Sequence, residues 1–284
     1  MPNITEILRN ATEVLQKSGI AESRREANSL LAFTLKKEKT FLIAHNDYQL
    51  SDEEEINFQS VLERRAGREP FQYITGKQEF YGLDFLLTPD VLIPRPETEL
   101  IVENAIEILK MQEKPTFCEV GVGSGCISVS ILHEIQTASA IGLDISANAL
   151  EITKLNAERH KVLERLKLKL SDVFGILSNE HFNLIVSNPP YIPIGDIKNL
   201  QAEVRRFEPL NALTDGQNGL SIIEKIITET PKFLKPGGIL LMEIGFDQSD
   251  RVKRMFDAKI WQSAEFLPDL QNIQRMVKAK KLNL

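Results

Sequence analysis

The apolar positions change their period twice along the chain. Over residues 1–69 they recur at helical spacing. Ile4, Ile7, Leu8, Ala11, Val14 and Leu15 mark one face of an amphipathic helix. Ser23-Arg24-Arg25-Glu26 has the form of a capping box ahead of Ala27, Leu30, Leu31 and Leu35. Ser51-Asp52-Glu53-Glu54 repeats that form ahead of Ile56, Val61 and Leu62. A small helical bundle over 1–69 is expected, with its mixed charges on solvated faces. After Gly67-Arg68-Glu69-Pro70 the texture turns aromatic and β-prone, in Phe71–Ile74 and again in Phe80–Leu87, with Thr75-Gly76 between them. That pattern predicts a β-hairpin within 70–92 linking two domains. From residue 116 strand and helix patterns alternate. Strands are expected at 116–121, 139–145, 166–171, 182–187 and 238–245, with weaker ones at 263–267 and 274–281. Helices are expected at 125–135, 147–161, 219–234 and 248–258. This is an α/β pattern with a largely parallel sheet covered on both faces, in a domain spanning 93–284. Such sheets bind ligands at the carboxyl ends of their strands, where the strand order switches.

Composition narrows the class. The chain has 284 residues, of which 42% are hydrophobic, enough for a sizeable core. It has no apolar run long enough to span a membrane, and residues 1–6 lack a basic segment followed by an apolar one. Cys118 and Cys126 stand without a Cys-x-x-Cys partner and read as buried thiols of a reducing compartment. The four histidines give no metal-ligand spacing, so no metal is expected. Together these predict a cytoplasmic protein. The net charge of −6 argues against a duplex-DNA reader, which would carry a basic footprint.

Two stretches carry chemistry. Glu119-Val120-Gly121-Val122-Gly123-Ser124-Gly125-Cys126 joins the first strand of the α/β domain to its first helix. Glycines at alternate positions let the backbone turn tightly and let a ligand approach it. A dinucleotide fingerprint would want glycine where Cys126 stands, so the spacing suits S-adenosyl-L-methionine (AdoMet) instead. The next strand ends in Asp144, nineteen positions after Gly125, where a carboxylate can accept from ribose hydroxyls. It could also cap the following helix, but Ser146 can do that, and the ribose role is favoured. Asp172 and Val173 follow the third strand. Asp172 could accept from an adenine amino group and Val173 line its face, or Asp172 could be a solvated turn residue. Glu119 could reach the amino group of the methionine part or only bond nearby amides. Arg95 and Glu97 could order a loop over the cofactor or form a structural ion pair.

The second stretch is Asn188-Pro189-Pro190-Tyr191, after the apolar run Phe182–Val186. Two prolines end the strand abruptly and leave nearby carbonyls without ladder partners. The Asn188 amide oxygen and the Pro189 carbonyl can each accept one N–H from a planar NH2 group, and the Tyr191 ring can stack on it. A structural Pro-rich turn would use the same residues without chemistry.

Together these segments resemble the release factor glutamine methyltransferase family (PrmC/HemK), within the class I AdoMet-dependent methyltransferases. The likeness runs through Phe71–Gly76, Glu79–Gly82, the LIPRPETE stretch Leu92–Glu99, the glycine loop, Asp144 and Asn188–Tyr191. It continues through Glu208–Leu213, Gly216–Leu220, Leu234–Gly238 and Met242–Gly245. Glu119 and Val122 depart from the usual Asp and Thr of the family's loop, and Val173 from a frequent aromatic. The resemblance implies a seven-stranded, mostly parallel Rossmann-like methyltransferase sheet with a small all-α N-terminal domain that grips a protein substrate. It implies transfer of the AdoMet methyl, leaving S-adenosyl-L-homocysteine, to the side-chain amide nitrogen of the glutamine in the Gly-Gly-Gln (GGQ) loop of class I peptide chain release factors. The expected catalytic and substrate-binding residues are Asn188, Pro189, Pro190 and Tyr191. The expected cofactor-binding residues are Gly121, Val122, Gly123, Ser124, Gly125, Asp144, Asp172, Val173 and Asn188. Release factors are the expected partners of a monomer that touches neither membrane nor nucleic acid directly. An adenine-N6 methyltransferase acting on nucleic acid is the rival reading, and an idle AdoMet-binding scaffold a second.

Overall fold

A computed structural model describes residues 1–283. They divide into two compact units, residues 1–77 with 201–207, and residues 78–200 with those from 208 on. No helix among the described residues is long and apolar enough to cross a membrane.

The first unit is helical: α1 (Ile4–Lys17), α2 (Ser23–Leu35), α3 (Lys39–Ala44), α4 (Asp52–Ala66) and α5 (Phe71–Thr75). Ile4, Leu15, Leu30, Leu31 and Leu50 are fully buried in its core. Val14 and Ile56, expected on the apolar faces, lie exposed instead. The predicted capping box forms on α4, where Ser51 accepts from the Glu54 amide and Glu54 from the Ser51 amide. A second forms on α1 between Asn3 and Glu6. The one predicted at Ser23 does not form. Helix α2 begins at Ser23 itself, and Glu26 pairs with buried Arg65. Arg65 and Arg68 also hold Glu203, which ties the returning segment Gln201–Phe207 to this unit.

Phe71–Ile74 is helix rather than strand, a correction to the β reading. Pro70 opens the turn, left-handed Gly76 closes it, and Tyr73 and Ile74 are buried. A proline start and a glycine stop outweigh β propensity over so short a run. The hairpin exists but sits later, as β1 (Lys77–Phe80) and β2 (Leu83–Leu86). Its two-residue turn is Tyr81-Gly82, both at positive φ, as tight hairpins require.

The second unit then reads Glu97 in a 3-10 turn (Pro96–Thr98), followed by α6 (Glu99–Leu109). Next come β3 (Thr116–Val120), α7 (Cys126–Glu134), β4 (Ser139–Asp144), α8 (Ala147–Arg159), β5 (Leu166–Leu170) and β6 (Phe182–Ser187). After α9 (Ala202–Phe207) of the first unit, the chain continues through α10 (Leu210–Leu213), α11 (Ser221–Glu229), β7 (Leu234–Glu243), α12 (Ser249–Lys253), β8 (Trp261–Pro268) and β9 (Gln274–Lys281). Strands β3 to β9 form one seven-stranded sheet in the order β5-β4-β3-β6-β7-β9-β8. Its first five strands are parallel, and β9 runs antiparallel to β7 and β8. Alternation along β6 divides the core. Ile185 packs with Ile223, Ile226 and Leu240 on one face, while Leu184 and Val186 pack with Ile101, Val102 and Leu241 on the other. The order reverses at β3, between β4 and β6, so a ligand crevice is expected at the carboxyl ends of these three strands.

Candidate functional site

A cavity of about 290 Å³ lies in the second unit at that point. Its walls come from the ends of β3, β4 and β6, the turn after β5, the loop before α6, and the segments around Asn211 and Asp215. This is near the lower end of the range for small-ligand pockets, roughly 300–1,000 Å³.

The glycine loop is folded by the strands beside it. The amides of Gly121 and Val122 both donate to the Leu143 carbonyl, at 2.8 and 2.9 Å. The Gly123 amide donates to the Asp144 carboxylate at 2.9 Å. Gly121 and Gly123 lie at positive φ and line the cavity, and a Cβ built on either meets nothing within 4 Å. The space beside them is open, where side chains would intrude. Val122 and Ser124 also line the cavity. Gly125 does not: it is the N-cap of α7 and packs against Thr153.

Asp144 is buried and lines the cavity. One oxygen accepts from the Gly123 amide and the other from the Ser146 amide, both at 2.9 Å. Each retains acceptor capacity. Ser146 caps α8 by accepting from the Ala149 amide, so the cap role falls to serine. Burial raises the Asp144 pKa and the loop amides oppose the rise. Glu119 is buried deeper. One oxygen accepts from both the amide and the hydroxyl of Ser128 on α7. Burial nevertheless pushes it up to about 8, with the neighbouring Asp144 adding to the rise. Two acids held in one buried cavity favour a cationic ligand.

The turn after β5 also reaches the cavity, through Ser171, Asp172 and Val173. The Asp172 carboxylate takes an ion pair from Lys225 at 2.9 Å and is largely exposed. Val173 is buried at φ +51°, a strained conformation for a β-branched residue. The Ser171 hydroxyl holds it by donating to the Val173 carbonyl at 2.9 Å.

The double-proline corner follows β6, which the Ser187 hydroxyl ties to β3 by donating to the Val120 carbonyl at 2.8 Å. Asn188, Pro189 and Pro190 line the cavity, and none of the described residues donates to the Pro189 carbonyl. Tyr191 is not among the lining residues. It packs against the core, and its hydroxyl donates to Glu243 at 3.0 Å. Burial raises its pKa, with Glu243 adding to the rise, so the hydroxyl keeps its proton.

Two functional neighbours escaped the sequence reading. The Asn188 Nδ2 donates to the Thr98 hydroxyl at 3.1 Å, and Thr98 donates to Glu243 at 2.7 Å. Both Thr98 and Glu243 lay inside segments recognised by resemblance, but no spacing links positions so far apart. Arg95 lines the cavity too. It pairs at 2.5 Å with buried Glu208, which also accepts from the Ile93 amide, and not with Glu97. Among the described residues no group of three or more His, Cys, Asp or Glu could hold a metal ion.

Known proteins share both the sequence and the sheet. The PrmC N-terminal domain family matches residues 6–76, and the methyltransferase small domain family matches residues 98–203. A release factor glutamine methyltransferase of Geobacter sulfurreducens is 40% identical over 93% of this chain and 91% of its own length. Another, of Koribacter versatilis, is 36% identical over 96% of each. A solved methyltransferase from Pyrococcus furiosus superimposes with a TM-score of 0.52 over 72% of this chain and 91% of its own, at 16% identity, which speaks for the fold alone. Two matched families and relatives at these identities over nearly the whole chain place this protein in the release factor glutamine methyltransferase family.

Proposed function

We propose that this chain transfers the methyl of AdoMet to the side-chain amide nitrogen of the GGQ glutamine in class I peptide chain release factors, in the cytoplasm. The observation that carries the reading is a single cavity shared by the glycine loop, Asp144 and the Asn188-Pro189-Pro190 corner. Relatives named for this activity, at 40% and 36% identity, favour a glutamine acceptor over an adenine.

The cavity fits AdoMet on its own chemistry. The open space beside Gly121 and Gly123 would receive its methionine part, and Asp144 its ribose hydroxyls. The buried acids suit a ligand with two positive centres. Asp172 and Val173 would border the adenine. When bound, AdoMet supplies an electrophilic methyl on a sulfonium sulfur.

The chain's own residues supply position. An amide nitrogen is a poor nucleophile because its lone pair is delocalised into the carbonyl. Two neutral hydrogen bonds, worth about 0.5–1.5 kcal/mol net each, do not offset that. Aiming two bound reactants can supply roughly 7–11 kcal/mol. Asn188 and the Pro189 carbonyl would accept the two amide protons and set the nitrogen in line with the methyl. The reaction needs no carboxylate or imidazole base before attack, because the N-methylated amide is acidic enough to lose its proton afterwards. Tyr191 supports the corner through its hydroxyl bond to Glu243.

Incubation with labelled AdoMet and a release factor, followed by mapping of the label, tests the function. Label is expected on the GGQ glutamine and lost when that glutamine becomes alanine. Label elsewhere on the factor, or on nucleic acid, would overturn the reading.

Two further outcomes follow from the cofactor end. Asp144→Ala should weaken AdoMet binding by about 10-fold to 100-fold, the worth of a charge-assisted hydrogen bond at roughly 1.5–3 kcal/mol. Titration calorimetry measures it, and unchanged affinity would remove the ribose role. Glu119, near 8 in the free protein, is mostly protonated at neutral pH. Pairing with the ligand's ammonium would favour its ionised form, so binding at pH 7 should release up to about one proton. Affinity should then rise as pH climbs towards 8 and fall at higher pH, where the ligand's ammonium loses its proton. Binding enthalpies compared between buffers of different ionisation heat report the proton count. No release would assign Glu119 to Ser128 alone.

A further inference from the structure

We infer that Thr98 and Glu243 are positioning residues that fix which way the Asn188 amide faces, and so make the corner a pure acceptor for an NH2 group. The inference rests on the methyl-transfer reading above.

The argument is one of proton direction. Burial raises the Glu243 pKa, but the hydroxyls of Thr98 and Tyr191 and the charge of Arg275 oppose the rise, and as a carboxylate it has acceptors only. Two hydroxyls donate to it, Thr98 at 2.7 Å on one oxygen and Tyr191 at 3.0 Å on the other. The single Thr98 proton is thereby committed. Towards Asn188 the Thr98 oxygen can only accept, so it takes the Nδ2 proton at 3.1 Å. Were the amide reversed, Asn188 Oδ1 would face an oxygen with no proton to give. The Asn188 oxygen is therefore kept for the substrate. Tyr191, its proton already given to Glu243, offers the corner no donor either. A carboxylate in place of the amide would meet acceptors at both Asn188 Oδ1 and the Pro189 carbonyl. One buried acid at the end of β7 thus sets the polarity of a site on the loop after β6. Thr98 is only 2% exposed, which leaves little room for water to substitute for its hydroxyl.

The test compares Thr98→Val and Thr98→Ser with wild type, using intact protein, AdoMet and a release factor. Valine keeps the shape and removes the hydroxyl; serine restores it. Thr98→Val is expected to lower kcat by about ten-fold or more, with KM for the release factor and Kd for AdoMet changed by less than about three-fold. Thr98→Ser should return kcat to within about three-fold of wild type. A purely structural Thr98 would lower thermal stability without this split and without rescue by serine. Glu243→Gln offers the network an NH2 where it had only acceptors, and should lower kcat in the same way. It keeps the test open if the valine variant does not fold. Wild-type kcat in both Thr98→Val and Glu243→Gln, or failure of serine to rescue, would overturn the inference. Wild-type protein that leaves the GGQ glutamine unlabelled would overturn the underlying reading instead, so the two failures are distinct.

Discussion

Asn188→Ala should cut single-turnover methyl transfer by about 100-fold or more while moving the AdoMet dissociation constant only a few-fold. The magnitude follows from positioning, since a misplacement of about 1 Å can by itself cost about 100-fold. Asn188 is aimed from two directions. Its backbone continues β6, whose end is tied to β3 through Ser187, and its side chain is held by Thr98. Alanine keeps the first tether and loses the amide that the second one aims. The Pro189 carbonyl is left to hold the substrate nitrogen alone, with nothing to fix rotation about that contact. AdoMet binding should survive because its proposed anchors belong to other strands: the loop after β3, and Asp144 at the end of β4. Rapid-quench transfer assays and calorimetry on the same preparation measure both quantities. An Asn188→Ala protein with wild-type turnover would remove the corner from the chemistry.

The parts of this molecule that could be read from the chain are those whose partners are near in sequence or whose pattern is strict. The buried strands β3, β4 and β6 read as continuous apolar runs because both faces of a parallel sheet are covered. The glycine loop and Asp144 follow from their place at strand ends. The misreadings have local causes. At Phe71–Thr75 the aromatic residues suggested strand, but Pro70 and Gly76 bracket a single helical turn that buries Tyr73 and Ile74. At Ser23 the capping box was spelled out, yet Glu26 finds a stronger partner in Arg65, 39 residues away. Buried arginine takes a carboxylate in preference to leaving it on a backbone amide.

The long-range polar network was illegible for the same reason. Thr98 and Glu243 are 145 residues apart, and nothing in their spacing announces a bond. An acid at the end of the buried run Leu240-Leu241-Met242-Glu243 was the available signal, since a buried carboxylate needs donors from somewhere. The same signal applies to Glu208, whose partners Arg95 and Ile93 lie more than a hundred positions upstream. In both cases the strand or loop that carries the acid was evident, and the donor was not. Tyr191 is a third case: its motif suggested a stacking ring, and nothing in the sequence announced the bond from its hydroxyl to Glu243.

The second large effect is expected at a residue that touches no ligand. Gly219→Ala should destabilise the protein by about 2–5 kcal/mol, combining roughly 1–2 kcal/mol for a left-handed L-residue with roughly 1–3 kcal/mol for overpacking. Gly219 has φ +77°, and a Cβ there would lie 2.1 Å from the Tyr191 carbonyl oxygen and 2.9 Å from its carbon. These are backbone atoms, so no rotamer change can relieve the contact. Gln248 locks the approach, donating to the Tyr191 carbonyl at 2.9 Å and to the Gly219 carbonyl at 3.2 Å. To admit the methyl, Tyr191 must retreat, and it is joined directly to Pro190 and Pro189. The fraction that still folds should therefore bind AdoMet near-normally but transfer the methyl about 100-fold more slowly. Gly216→Ala is the matched control in the same loop. Gly216 has φ +76°, but a Cβ there meets nothing within 4 Å, so it should show the backbone cost alone. Denaturant unfolding and single-turnover transfer on both variants separate the two contributions. Equal losses would mean that the close packing of Gly219 against the corner does not govern its geometry. A larger loss at Gly219, carried into the transfer rate but not into AdoMet affinity, would show that the amide-gripping corner is held in place from behind by its own backbone.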